Sequence, residues 1–174
     1  MRVPRRLRPN GALAPSRRRL RSPEPAPCSS YARIHLRSEM SFSVDSIDHI
    51  VLNVKDAEAS AAWYARVLGL SRVDFSSSTG LRVALQLGSQ KINLRPAAAD
   101  TVVWYTGTGT TPGSADICFV TKSSPEAVKD YWISQGVPIV DGPVERTGAL
   151  GSMTSVSCRD LDGNLIEVAT YRSA

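Results

Sequence analysis

From Asp48 to Val54 the chain reads Asp48-His49-Ile50-Val51-Leu52-Asn53-Val54, with β-branched and apolar residues set against recurring polar ones. A period of two puts His49, Val51 and Asn53 on one face of a strand and Ile50, Leu52 and Val54 on the other. Lys55-Asp56 then opens a helix. Ala57, Ala61, Trp63, Tyr64, Val67 and Leu68 form its apolar stripe, and Gly69 reads as its stop. A short strand is expected over 70–75 and a turn over 76–80. Residues 81–87 alternate strongly, with Leu81, Val83, Leu85 and Leu87 against Arg82, Ala84 and Gln86. After Gly88-Ser89 another strand runs over 91–95, Ile92 and Leu94 opposing Lys91, Asn93 and Arg95. The unit is β-α-β-β-β.

A connector rich in Ala, Thr and Gly occupies 96–113, and the same order then returns. A strand is expected over 114–121. Ser123-Ser124-Pro125-Glu126 starts a helix, with a serine cap and proline in the first turn, and Gly136 ends it. Strands follow over 137–144, 152–159 and 164–171, with Asp162-Gly163 as a turn signal. The two copies can be placed in register. An offset of 67 sets His49 on Asp116, Tyr64 on Tyr131 and Gly69 on Gly136. Late in the unit the offset is 74, setting Ile92 on Ile166, Asn93 on Glu167 and Leu94 on Val168. The seven added residues fit a longer hairpin around Thr147–Gly151. The connector's Trp104 and Tyr105 read as either packed over an edge or set on a pocket rim.

The first forty residues are different material. They hold ten arginines, no lysine and two acids, which leaves 11 basic and 14 acidic residues over 41–174. The net charge of +5 therefore belongs to the tail and argues against nucleic-acid binding by the folded part. Residues 1–40 cannot bury enough apolar surface to offset ordering entropy and are expected to be disordered. Three readings stand open: an upstream stretch that is not translated, with Met40 the true start; an Arg-rich mitochondrial transit peptide; or a basic arm. We rank them in that order for the first two, so that a cytoplasmic domain is expected, or a mitochondrial one if residues 1–39 act as a presequence. The folded domain is expected over 45–172, as modules 45–96 and 113–172. No apolar run approaches a membrane span. Cys28, Cys118 and Cys158 lack CxxC spacing, and the last two read as small buried thiols in strands.

The repeat carries a chemical expectation. Each unit covers one sheet face with its helix, and the opposite faces carry His49, Asn53, Gln86, Asn93, Arg95, Asp116 and Glu167. Four of these, His49, Asn93, Asp116 and Glu167, are repeat-equivalent on first and last strands. If the curved sheets meet, they converge in a cup. An imidazole, two carboxylates and an amide oxygen suit a divalent cation with N/O preference.

These residues resemble the vicinal oxygen chelate superfamily of glyoxalases, extradiol dioxygenases and antibiotic-resistance proteins. The resemblance is carried by Asp48-His49-Ile50-Val51-Leu52, Lys91-Ile92-Asn93-Leu94, Gly113-Ser114-Ala115-Asp116-Ile117-Cys118, Gly142-Pro143-Val144-Glu145-Arg146-Thr147-Gly148-Ala149 and Arg159-Asp160-Leu161-Asp162-Gly163-Asn164-Leu165-Ile166-Glu167-Val168. It is closest to a branch of glyoxalase-domain-containing proteins with bacterial relatives, and covers about 45–172. It implies an α+β fold of two βαβββ modules forming a curved mixed-sheet cup. It also implies a divalent metal ion (Fe, Mn, Ni, Zn or Mg) held by His49 and Glu167, with Asp116 and Asn93 at the other two ligand positions. Two departures matter. Asp116 stands where a second histidine is usual, and Asn93, standing where glyoxalase I has a glutamate, cannot be a base. Proton transfer then falls to Glu167 or Asp116. Arg95 and Arg146 are candidates to hold an anionic group of a small-molecule substrate, with surface ion pairs as the competing reading. The expected activity is lyase or isomerase chemistry, with ring-cleaving dioxygenation behind it and a non-catalytic small-molecule binding module as the other class. Module pairing within one chain or across a homodimer is open. Asp160-Leu161-Asp162-Gly163-Asn164 has a calcium-loop look without the EF-hand spacing, and a turn is expected there.

Overall fold

The computed structural model describes residues 42–171. The Arg-rich segment 1–40, with the expectations attached to it, lies outside them. From Val44 onward the described residues form one compact unit. Its elements are β1 His49–Val54, α1 Ala57–Leu68, β2 Ser71–Ser77, β3 Gly80–Leu87, β4 Gln90–Pro96, β5 Asp116–Val120, α2 Pro125–Ser134, β6 Ile139–Gly148, β7 Gly151–Arg159 and β8 Leu165–Tyr171.

The helix ends follow from local chemistry. The Asp56 carboxylate accepts from the Glu58 and Ala59 N–H groups at 2.9 and 3.0 Å, satisfying donors that the first turn leaves free. At the other end Gly69 adopts φ 69° and returns its N–H to Ala65 and Tyr64. Ser124 caps α2 by accepting from Ala127 N–H at 3.2 Å, with Pro125 in the first turn and Gly136 at φ 70° beyond its end.

Two four-stranded mixed sheets result, in the orders β1-β4-β3-β2 and β5-β8-β7-β6. Their registers carry the internal repeat. His49 lies beside Lys91 and Val51 beside Asn93 in the parallel β1–β4 pair. Asp116 lies beside Leu165 and Cys118 beside Glu167 in β5–β8. The offsets of 67 and 74 thus match rung for rung. The expected longer hairpin is β6–β7, whose ladder runs on to Gly148 opposite Gly151.

Each helix packs on one face of its own sheet, where Leu52, Val54, Leu85, Ile92 and Leu94, or Val156, Cys158, Ile166 and Val168, are buried. The modules share one apolar core. Trp132, 1% exposed, donates its indole N–H to Val67 O at 3.1 Å, and Tyr131 OH donates to Arg66 O at 2.6 Å. Tyr64 OH donates to Asp160 Oδ2 at 2.8 Å. Asp160 also accepts from the N–H groups of Asp162 and Asn164 and from the Asn164 amide, at 2.7–2.9 Å. The Asp160–Asn164 stretch is therefore the expected turn. Its carboxylate is satisfied by backbone and side-chain donors, the requirement for a buried acid.

The connector lies against the first sheet on the face away from α1. Asn53 Nδ2 donates to Gly109 O at 3.5 Å, and Trp104 sits with the Arg82 guanidinium 3.9 Å from its ring centre. Trp104 is half-buried against the sheet, while Tyr105 is exposed.

Candidate functional site

The sheet faces turned away from the helices are polar, as the alternation requires. On the first sheet His49, Asn93 and Arg95 share this face; on the second, Asp116, Cys118, Glu167 and Ser155 do. His49 is about half exposed at the start of β1, and its Nδ1 lies 2.6 Å from Asp48 Oδ1. That contact orients the ring and leaves Nε2 uncommitted. His49 lines a cavity of about 440 Å³ between β1 and β5, together with Ile47, Lys91, Cys118 and Val120.

Glu167 sits on β8, an interior strand, so exposure on a sheet edge does not account for it. Ser155 Oγ donates to its Oε1. Asp116, Glu167, Asp141, Arg146 and Arg159 line a second hollow of about 360 Å³. The Asp116 side chain is exposed and makes no hydrogen bond or ion pair with another described residue, so it does not serve as a turn cap. Arg146 is ion-paired with Asp141 at 2.6 Å, the surface pairing expected as its competing role.

Two residues differ from expectation. Cys118 is not a core thiol; it shares parity with Asp116 and so lies on the polar face, whereas Cys158 is buried. Covering of its sulfur, then the hydrogen bond and charge of Glu167, push the Cys118 thiol up to about 12, so it stays protonated near neutrality. Arg95 is not a surface ion-pair residue. It is wholly buried, and its guanidinium donates to Asn53 Oδ1 at 3.2 Å, Pro96 O at 3.4 Å and Ala99 O. Asn93, 7% exposed, keeps its Oδ1 without a partner, as Arg95 keeps its Nε.

One chain brings Asp116 and Glu167 into one hollow and His49 into another, and leaves Asn93 buried in the first sheet. Among the described residues no group of three or more His, Cys, Asp or Glu side chains is placed to hold a metal ion. The donor types nonetheless fit a divalent cation, and His49 and Glu167 are each held by a neighbouring polar group, as metal-ligating side chains commonly are. Sequence reasoning missed Asp48, Ser155, Arg82 and Lys91. Asp48 was signalled by adjacency to His49, and Arg82 and Lys91 by strand alternation. Ser155 left no local signal.

Comparison with known proteins agrees with this geometry. A profile of the Glyoxalase/Bleomycin resistance protein/Dioxygenase superfamily matches residues 46–168. Virulence protein STM3117 of Salmonella typhimurium is 44% identical over 128 residues, covering 74% of this chain and 85% of that protein. Glyoxalase domain-containing protein RDO1 of Mycosarcoma maydis is 38% identical over 138 residues, 79% of this chain and 75% of that one. The structure of an integron cassette protein from the mobile metagenome of V. cholerae superposes with a TM-score of 0.70 at 40% identity, covering 76% of this chain and all of that one. With the paired βαβββ modules and two polar sheet faces already in view, the chain belongs to the glyoxalase/bleomycin resistance protein/dioxygenase superfamily.

Proposed function

We propose that this protein is a divalent-metal-dependent enzyme acting on a small, oxygen-rich substrate by lyase or isomerase chemistry. His49 and Glu167 are the principal ligands, with Asp116 and the Asn93 amide oxygen completing the donor set. The observation that carries this reading is the 2.6 Å contact between His49 Nδ1 and Asp48. A carboxylate on one ring nitrogen fixes the tautomer and presents the other as a lone-pair donor, the arrangement typical of metal-ligating histidines.

Because one chain keeps His49 and Glu167 in separate hollows, the complete site is formed between two copies, the first sheet of one facing the second sheet of the other. When bound, the ion supplies Lewis-acid polarisation of neighbouring substrate oxygens. The chain's own contribution is positioning and proton transfer. Ser155 holds one oxygen of Glu167 and leaves the other to take a proton from substrate; Asp116, uncommitted in the same hollow, is the second candidate base. Asn93 cannot act as a base; its amide oxygen offers neutral lone pairs, to the ion or to a substrate hydroxyl. The Cys118 thiol beside Glu167 stays protonated near neutrality in the metal-free chain.

The test is elemental analysis of the chelator-stripped full chain after separate exposure to Fe(II), Mn(II), Ni(II), Zn(II) and Mg(II), alongside Glu167→Ala. About one ion per chain, lost in the variant, is expected. A preference for Fe(II) would direct assays toward ring cleavage. A folded protein that takes up none of the five ions would overturn the metal reading in favour of a small-molecule binding module.

A further inference from the structure

The strands of the first sheet place basic residues and no acid on its polar face; the Asp48 carboxylate, just before β1, is committed to His49 at the edge. Ala84 lies opposite Asn93, so Arg82 and Arg95 share that face with Lys91 and His49. Asp74, the one acid of these four strands, is on the helix side, ion-paired with Arg72 at 3.0 Å. Arg95 is 0% exposed and has no ion pair among the described residues; its acceptors are neutral. A buried guanidinium without a counterion is costly. The fold does not require the charge. In the second module the register places Ser155, Leu165 and Ala169 at the positions of Arg82, Lys91 and Arg95, and Ala169 is as fully buried as Arg95.

We propose that this face is an oxyanion-binding wall and that the substrate is a small hydroxylated organic acid. The proposal rests on the reading that the polar faces contact substrate. Arg82 and Lys91, both half-buried, draw the anion in. The unpaired Arg95 Nε donates to its oxyanion, and the unpaired Asn93 Oδ1 accepts from its hydroxyl. The two positions are two residues apart on one strand face, about 7 Å, a span that suits a small molecule bearing both groups. Access passes through the connector. Arg95 holds Ala99 O, and Trp104 is packed between Arg82 at 3.9 Å and Arg95 at 6.0 Å. A charged oxygen is a stronger acceptor than a carbonyl, so an oxyanion that takes the Nε–Nη2 edge of Arg95 displaces Ala99 O from Nη2 and shifts Trp104.

The experiment uses the full chain stripped of metal with chelator, so that its failure is separate from failure of the metal reading. Mandelate, α-hydroxybenzylphosphonate and the neutral mandelamide are titrated by calorimetry and by tryptophan fluorescence. At least one anion is expected to bind about tenfold more tightly than the amide, and the tighter of the two anions identifies the carboxylate or the phosphonate as the recognised group. Arg95→Met is expected to abolish the preference. Arg82→Gln and Lys91→Gln alter half-buried side chains that the core does not need, and serve if Arg95→Met fails to fold. Each is expected to weaken anion binding about threefold to tenfold and to flatten its salt dependence. Equal binding of anion and amide, no saturable binding of either anion, or no effect of the Arg82 and Lys91 variants would overturn the proposal.

Discussion

Asp48 and Ser155 set what His49 and Glu167 can offer, and neither is itself a candidate ligand. Removing such an orienting partner commonly weakens metal affinity about 10–100-fold. Asp48→Ala is therefore expected to show that loss by metal titration, while His49→Ala removes binding outright. Cys118 gives a second residue-scale check. At pH 8 an ordinary thiol is about one-quarter thiolate, whereas one near 12 is about one part in ten thousand. Alkylation of Cys118, followed by peptide mass spectrometry to separate it from Cys28, is expected to be at least a hundredfold slower than for a free thiol. It should rise tenfold per pH unit and quicken in Glu167→Gln. The parity that put Cys118 beside Glu167 was present in the sequence, in the alternation Asp116-Ile117-Cys118-Phe119. The preference of small thiols for cores concealed it. Burial of Arg95 was not legible, because nothing local says that residues 97–109 fold back over it.

The element boundaries were legible because caps are local chemistry. Asp56, Ser124, Gly69 and Gly136 act within one turn of where they stand. What joins the elements was not. Tyr64 and Asp160, 96 residues apart in the chain, tie α1 to the β7–β8 turn through a 2.8 Å hydrogen bond. Burial first, then the charge of Asp160, raises the Tyr64 phenol well above its ordinary value of 10. The folded chain keeps this proton where the unfolded chain loses it. Tyr64 thus leaves stability untouched below about pH 10 and lowers it by up to about 1.4 kcal/mol per pH unit above. Denaturant titrations at pH 8 and 10.5 should show that slope, and Tyr64→Phe should flatten it while costing about 1 kcal/mol at neutral pH. Gly113 serves the same junction from the connector side. Its φ is 86°, and an added Cβ would press on the Asp162 carbonyl, so Gly113→Ala is expected to lower Tm through backbone strain as well as contact.

At the scale of the molecule, the two modules repeat in backbone and diverge in chemistry. The first sheet presents an amide and basic groups, and the second presents Asp116 and Glu167. On its own the first face is unsuited to a cation, and the second to an anion. A site shared between copies makes a distinctive prediction. His49→Ala and Glu167→Ala chains, each unable to bind metal alone, should regain about one ion per four chains when unfolded and refolded as an equal mixture, since about half of the dimers are mixed and each mixed dimer combines intact ligands in one of its two sites. If the site lay within one chain, mixing would restore nothing.

The sequence by itself determined the two βαβββ modules, their helix ends, their register and the parity that sends His49, Asn93, Asp116 and Glu167 to the polar faces. Alternation, capping and glycine stops act over a few residues, and a repeat doubles each signal. The tertiary structure alone decided that the helices share one core, that the connector roofs the first sheet over Arg95, and that one chain holds His49 and Glu167 in separate hollows. Those outcomes depend on how surfaces from different parts of the chain fit together in space, and no local pattern encodes that fit.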